Sequence, residues 1–265
     1  MPELPDVELF RRYLEDHALD RNIEKVVVND ETILHGISPA TLRRRLKHSR
    51  VAKTMRHGKT LLAALDDGKG WLVLHFGMDG SLRYYEKDEE RPRYERVRLE
   101  LGNGRRLAYD SKRMLGDVNF TPDPSRWVKE HDLGPDALSV DEEAFVGLLR
   151  SRRGAVKTAL TNQQLLAGVG NVYADEILFR ARLHPQKPVN ALEDKELRRL
   201  FRAMREVLNK SIDYGANPNR MPRSWLLSKR EEGRPCPRCK TPLSKVKIAQ
   251  RSTFLCPTCQ PKNNK

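Results

Sequence analysis

Residues 51–85 read VAKTMRHGKTLLAALDDGKGWLVLHFGMDGSLRYY. Apolar, β-branched and aromatic residues fall into short runs there, and glycine-bearing turns separate them. Such runs are strands, and a dipeptide like Asp67-Gly68 between two of them is a hairpin signal. Four successive strands are predicted: Val51–Arg56, Thr60–Leu65, Trp71–Phe76 and Leu82–Tyr85. Outward from them, Ile23–Val28 lies before, and Val97–Leu101 and Arg105–Tyr109 follow around a second turn signal at Asn103-Gly104. Short strands at this spacing predict a β-sandwich of about 120 residues. One helix near Pro39–Leu46 interrupts them. Another opens the chain, since Leu4, Val7, Phe10 and Leu14 share one face of Glu3–Leu14.

After Pro122-Asp123-Pro124 the periodicity changes. Asp141–Arg150, Val156–Thr161, Val172–Ala181 and Asp194–Tyr214 have helical spacing, with Asp194 as an expected N-cap. A polar stretch, Gly215–Arg223, then leads to a cysteine-bearing tail. The expected fold is α+β and multidomain. A β-sandwich with its N-terminal helix fills 1–125, a helical domain 126–228, and a small ribbon 229–262.

All four cysteines lie in that tail, as Cys236-x-x-Cys239 and Cys256-x-x-Cys259, with sixteen residues between the pairs. A redox motif needs only one such pair; two at this spacing place four thiolates around one tetrahedral ion. One structural Zn2+ per chain is expected. With no spare ligand position it has no catalytic role, and serves to fold a segment too short for its own core.

The chain of 265 residues carries a net charge of +14, with a pI near 9.8. From Gly215 onward twelve Lys/Arg face two Glu, so most of the surplus is concentrated in the last fifth. Clustered positive charge favours a nucleic-acid partner over a merely solvated surface. No stretch approaches the roughly 20 apolar residues of a membrane span. The opening MPELPDVELFRR has no apolar core of the secretory kind. A cytoplasmic location, or a nuclear one in a eukaryote, is expected, and so is a monomer.

Met1-Pro2 is a processing signal in effect, because removal of the methionine exposes a secondary amine. An α-amino group titrates near ~7.7–8.0, well below lysine, so a useful fraction is neutral and nucleophilic. Condensed with an aldehyde carbon, a secondary amine can form only a cationic iminium, which is an electron sink. Glu3 and Asp6 are nearby carboxyls able to shuttle protons. Taken alone, Pro2 reads more readily as an ordinary helix-starting proline than as a nucleophile.

Five segments in order carry a resemblance. They are Met1-Pro2-Glu3-Leu4-Pro5-Asp6-Val7-Glu8, Arg56-His57-Gly58-Lys59, His75 to Leu82, Gly168 to Glu176, and Ala249 to Phe254. Together they resemble the formamidopyrimidine-DNA glycosylase/endonuclease VIII family along nearly the whole chain. The resemblance implies a glycosylase and AP lyase acting on double-stranded DNA that contains oxidised bases or abasic sites, with a helix-two-turn-helix in the helical domain. It implies Pro2 as nucleophile, Glu3 as acid/base, Asp6 and Glu176 as helping carboxylates, and Lys59 as a lysine beside the damaged sugar. Met78 would fill the gap left by an extruded base, Arg113 would pair with the orphaned base, and Leu115 would wedge beside it. Gly168 and Gly170, just before the helix Val172–Ala181, offer backbone amides suited to holding a phosphate. The resemblance adds that Asn171, Tyr173 and Arg251 would grip the DNA backbone and that Lys157 would lie near the lesion pocket.

Three departures stand out. Asp6 replaces a glutamate, Ser111 a common aspartate and Leu115 an aromatic ring. The segment Gly215–Lys229 is also shorter than the base-capping loop of the purine-acting branch. The wedge segment resembles that branch, so oxidised purines are the expected substrates, ahead of oxidised pyrimidines. A non-enzymatic binder of damaged DNA and a zinc-ribbon adaptor are the other classes, and neither accounts for the filled catalytic positions.

Overall fold

The computed structural model describes residues 1–66, 68–86 and 91–262. Asp67, part of the first turn signal, and Asn263 to Lys265 of the tail lie outside the described residues. The chain forms two compact units. The first holds Met1–Pro2 and Asp6–His131, the second Glu3–Pro5 and everything from Asp132 onward.

In the first unit two four-stranded antiparallel sheets make the sandwich. One has the order β1(Ile23–Val28), β6(Glu95–Leu101), β7(Arg106–Asp110), β5(Ser81–Tyr85). The other runs β2(Val51–His57), β3(Thr60–Leu65), β4(Trp71–His75), β8(Asp117–Thr121). Strand β6 shows the period-2 logic plainly: Glu95, Val97, Leu99 and Leu101 are buried while the residues between them are only half-buried. Helix α1(Leu4–Ala18) contributes Val7 and Leu14 to the sandwich core, beside Leu61, Phe76 and Leu107. Helix α2(Pro39–Leu46) forms where predicted because Ser38 caps the Thr41 N–H and Pro39 sits in the first turn. Its Leu42 and Leu46 point inward.

Two elements were not predicted. Strand β8, DVNFT, is short and half polar, and it exists because β4 offers a paired edge from His75↔Asp117 to Trp71↔Thr121. Helix α3(Pro124–Glu130) starts at the Asp123 cap and stacks Trp127 on His131.

The second unit contains α4(Glu142–Arg150), α5(Val156–Thr161), α6(Asn171–Ala181), α7(Asp194–Asp213) and the hairpin β9(Ser244–Ile248)–β10(Arg251–Leu255). One cap differs from expectation. Glu193, not Asp194, is the N-cap of α7, because it forms a capping box with Glu196, whose carboxylate accepts the Glu193 N–H at 3.0 Å. Asp194 begins the helix and pairs with Arg150. Helix α6 is the unit's axis, buried along nearly its entire length. The stretch after α7 is not only polar linker: Met221, Trp225 and Leu226 are buried. Among the described residues no helix is long and apolar enough to cross a membrane.

Candidate functional site

In the first unit, Pro2 and Asp6 are half-buried at the chain start and in the first turn of α1. Lys59 is half-buried in the tight β2–β3 turn, which Gly58 makes possible at φ +57°. The turn is braced by Arg56, whose guanidinium donates to the Gly58 carbonyl at 3.0 Å and pairs with Glu8 at 3.4 Å. Burial would raise the Glu8 carboxyl, but hydrogen bonds and charge from Arg11, Arg12 and Arg56 outweigh it and hold it below its ordinary range. The His75 imidazole, 3.8 Å from Asp117, is lowered by burial despite that carboxylate, and the Lys59 charge adds to the lowering.

Two loops at one end of the sandwich present apolar side chains to solvent. Met78 is 40% exposed on the β4–β5 loop, and Met114 and Leu115 are 37% and 52% exposed on the β7–β8 loop. Arg113, directly before Met114, is exposed as well. The loops meet backbone to backbone: a Cβ on Gly77, at φ +55°, would lie 2.3 Å from the Leu115 carbonyl. Ser111 is fully buried, and its hydroxyl donates to Asp79 at 3.1 Å.

In the second unit, Glu3 is 1% exposed. Its carboxylate accepts the backbone N–H groups of Val172 at 2.8 Å, Gly170 at 2.9 Å and Tyr173 at 3.2 Å. It thus occupies the N-terminus of α6, where the helix favours an anion. The amides that the glycine-rich opening seemed to reserve for a phosphate hold this side chain instead. Gly168, at φ +117°, admits Leu4 beside it, and Leu4 donates its N–H to the Gly168 carbonyl.

The remaining predicted residues separate into exposed and buried. Arg251 is exposed at the start of β10. The two-residue turn before it, Ala249-Gln250, has positive φ at both positions without a glycine. Asn171 donates from its side-chain amide to the Ser252 carbonyl at 3.0 Å, and its Oδ1 is buried with no hydrogen-bond partner. Tyr173 is buried. Lys157 is 2% exposed, and its ammonium is committed to Asp175 at 2.6 Å and Thr253 at 2.7 Å rather than presented at the surface. Asp175 also accepts from Arg230 at 2.9 Å and from the Phe254 N–H at 3.1 Å. Glu176 is fully buried; Oε2 accepts the Leu227 N–H at 2.8 Å while Oε1 has no partner. Burial pushes its carboxyl up to about 8 against the opposing Leu227 N–H and Arg180.

Asp79 and Asp175 are two further residues of these networks that the sequence does not single out. Both lie inside segments that carry the family resemblance; Asp79 is an acid between Met78 and Gly80, while Asp175, beside Glu176, carries no local signal of its own.

The four cysteine sulfurs lie within 4.8 Å of one another, with pairs at 3.4, 3.5 and 3.9 Å. Tetrahedral zinc–thiolate geometry requires edges of about 3.8 Å. The Arg238 and Cys259 amides donate to the Cys236 and Cys256 sulfurs at 3.4 Å, which suits anionic sulfur. The set fits one metal ion. Cys236 and Cys256 pack with Phe179 and Leu226, so a bound ion would fasten the hairpin to α6.

Three sequence models match the chain in order. They are the formamidopyrimidine-DNA glycosylase N-terminal domain over residues 1–118, the H2TH domain of the same enzymes over 133–222, and a zinc finger found in FPG and IleRS over 233–262. The formamidopyrimidine-DNA glycosylase of Geobacter metallireducens is 36% identical over 270 residues, covering 98% of this chain and all of that protein. That of Serratia proteamaculans is 34% identical, again over 98% and 100%. The Lactococcus lactis enzyme bound non-covalently to DNA with an AP site superposes with a TM-score of 0.88 at 27% identity, covering 98% of this chain and all of that one. A MutM complex with DNA containing carbocyclic 8-oxo-G gives 0.88 at 28% identity over the same shares.

Proposed function

The chain belongs to the formamidopyrimidine-DNA glycosylase family, and from that premise we propose that it excises oxidised purines from duplex DNA and cleaves the strand at the resulting site. The observation that carries this reading is the clamped Glu3. Three backbone N–H groups hold its carboxylate at the α6 N-terminus, directly next in the chain to Pro2. A carboxylate so restrained is a fixed proton relay for the amine one residue away.

In the proposed sequence the Pro2 nitrogen bonds to C1′ of the damaged nucleotide as the C1′–base bond breaks and the base leaves with a proton. Glu3 takes the proton that the Pro2 nitrogen sheds after bonding to C1′ and passes it to the sugar ring oxygen as the ring opens, which leaves a C1′ iminium. That cation acidifies C2′–H, and loss of this proton expels the 3′ phosphate. A second elimination expels the 5′ phosphate, leaving a one-nucleotide gap. Lys59 and Asp6 serve beside the sugar. Glu176, wholly buried, acts as a positioning residue through the Leu227 segment.

Met78, Arg113 and Leu115 fill the stack and face the orphaned base once the lesion is extruded. Asn171 and Arg251 contact the backbone. Zinc, when bound by Cys236, Cys239, Cys256 and Cys259, supplies structure only. One chain carries every residue named here, so the protein acts as a monomer in the compartment that holds the genome.

Borohydride trapping on an abasic duplex tests the chemistry. A covalent adduct mapping to Pro2 of a chain lacking Met1 is expected, with the adduct largely lost in Pro2→Gly while DNA binding is retained. Full strand cleavage by a chain that keeps Met1 overturns the nucleophile. Turnover on duplexes with single lesions tests the substrate, and faster excision of oxidised pyrimidines overturns the purine assignment.

A further inference from the structure

The β4–β5 and β7–β8 loops are joined by one carboxylate. Asp79 Oδ1 accepts the Ser111 hydroxyl at 3.1 Å, and Oδ2 accepts the Arg113 N–H at 3.0 Å. The Ser111 oxygen in turn accepts the Met114 N–H at 3.2 Å. Donors thus run Met114 to Ser111 to Asp79 without a break, and both acceptor oxygens of Asp79 are engaged. Charge-assisted bonds of this kind are about twice as strong as neutral ones.

The network holds an unfavourable backbone. Met114 adopts φ +49°, which a side-chain-bearing residue keeps only when its surroundings enforce it. Its neighbours are held as well: Arg96 Nε donates to the Ser111 carbonyl at 2.8 Å, while Arg96 Nη1 pairs with Asp30 at 3.2 Å. Among the described residues, the two bonds to Asp79 and the packing of Gly77 on Leu115 are what tie the Met78 loop to the loop bearing Arg113.

We propose that Asp79 is a positioning residue that makes Met78, Arg113 and Leu115 one rigid probe, and so determines how well the protein extrudes a lesion and reads the base opposite. This rests on the function proposed above, in which those three side chains enter the DNA. An abasic site has no base to extrude, so strand cleavage there depends less on the probe than excision of an intact lesion does.

The test moves the carboxylate across the gap. In D79S, excision of 8-oxoguanine relative to borohydride trapping at an abasic site should fall at least about tenfold, a coupling of about 1.4 kcal/mol. Discrimination between bases opposite the lesion should flatten with it. The exchanged variant D79S/S111D, which returns one carboxylate to the same interface, should recover the ratio to within about threefold of the parent. D79N keeps the loop packed but turns an NH2 towards one of the two donors, and should fall between the two. An unchanged ratio in folded D79S and D79N overturns the proposal, as does a folded exchange variant that recovers stability without recovering the ratio. If the parent itself forms no adduct, the function proposed above fails instead, and the ratio cannot be formed.

Discussion

Gly170 and Glu3 are in such close contact that the glycine has no room for a methyl group: a Cβ there would lie 2.2 Å from the Glu3 carboxyl carbon. The Gly170 backbone is extended, at φ −117°, a conformation any residue adopts. The glycine is therefore required by the neighbouring carboxylate and not by its own dihedral angles.

Gly170→Ala should expel Glu3 from the α6 N-terminus. Overpacking of this kind costs about 1–3 kcal/mol, and losing a placed acid/base group costs roughly 10²-fold or more in rate. Single-turnover excision and urea unfolding measure the two losses. An alanine variant with parental rate and stability would show that Glu3 does not need its clamp.

Lys157 is expected to matter for stability more than for DNA. Removing one partner of a buried ion pair costs up to about 3–5 kcal/mol. Asp175 keeps Arg230 and the Phe254 N–H, so Lys157→Met should lower the urea midpoint by less than that limit. The salt dependence of DNA affinity should keep its slope, whereas losing a phosphate contact would reduce that slope by about 1. A stable variant with a shallower slope would return Lys157 to the DNA interface.

Glu176 predicts a pH dependence with a definite sign. Its carboxyl titrates near 8 when folded and near 4.5 otherwise. Between those values the folded chain retains a proton that the unfolded chain has released, so stability falls as pH rises from about 4.5 to about 8. Glu176→Gln, which can still accept the Leu227 N–H, should remove this component. Parent and variant should be similar at low pH, and the variant relatively more stable at pH 8. Parallel curves across that range would rule out a neutral buried Glu176.

Chelation of the metal should release the β9–β10 hairpin from Phe179 and Leu226, and with it Arg251. DNA affinity should drop by at least about tenfold, the scale of one or two charge-assisted contacts, and added zinc should restore it. The fluorescence of buried Trp225, next to Leu226 in the chain, should change in step. Undiminished affinity in demonstrably metal-free protein would contradict a hairpin that grips DNA.

Most of the elements, and the metal chemistry of the tail, are legible in local patterns of residues. Strand β3 and helices α2 and α5 have the bounds their residues predicted, because apolar period, proline and cap are all local signals. Two cysteine pairs announced a metal site for the same reason: ligand type and spacing are written in the chain. Which charges lie at the surface and which are buried was set by packing between distant segments. Lys157 read as a DNA contact until Asp175 and Thr253 were seen around it, and the α6 amides read as a phosphate cradle until Glu3 was found in them. Strand β8 and the Asp79–Ser111 bridge likewise depend on partners about 30 or more residues away. A side chain's partner and its burial arise when distant segments pack together, and no local pattern of residues contains them.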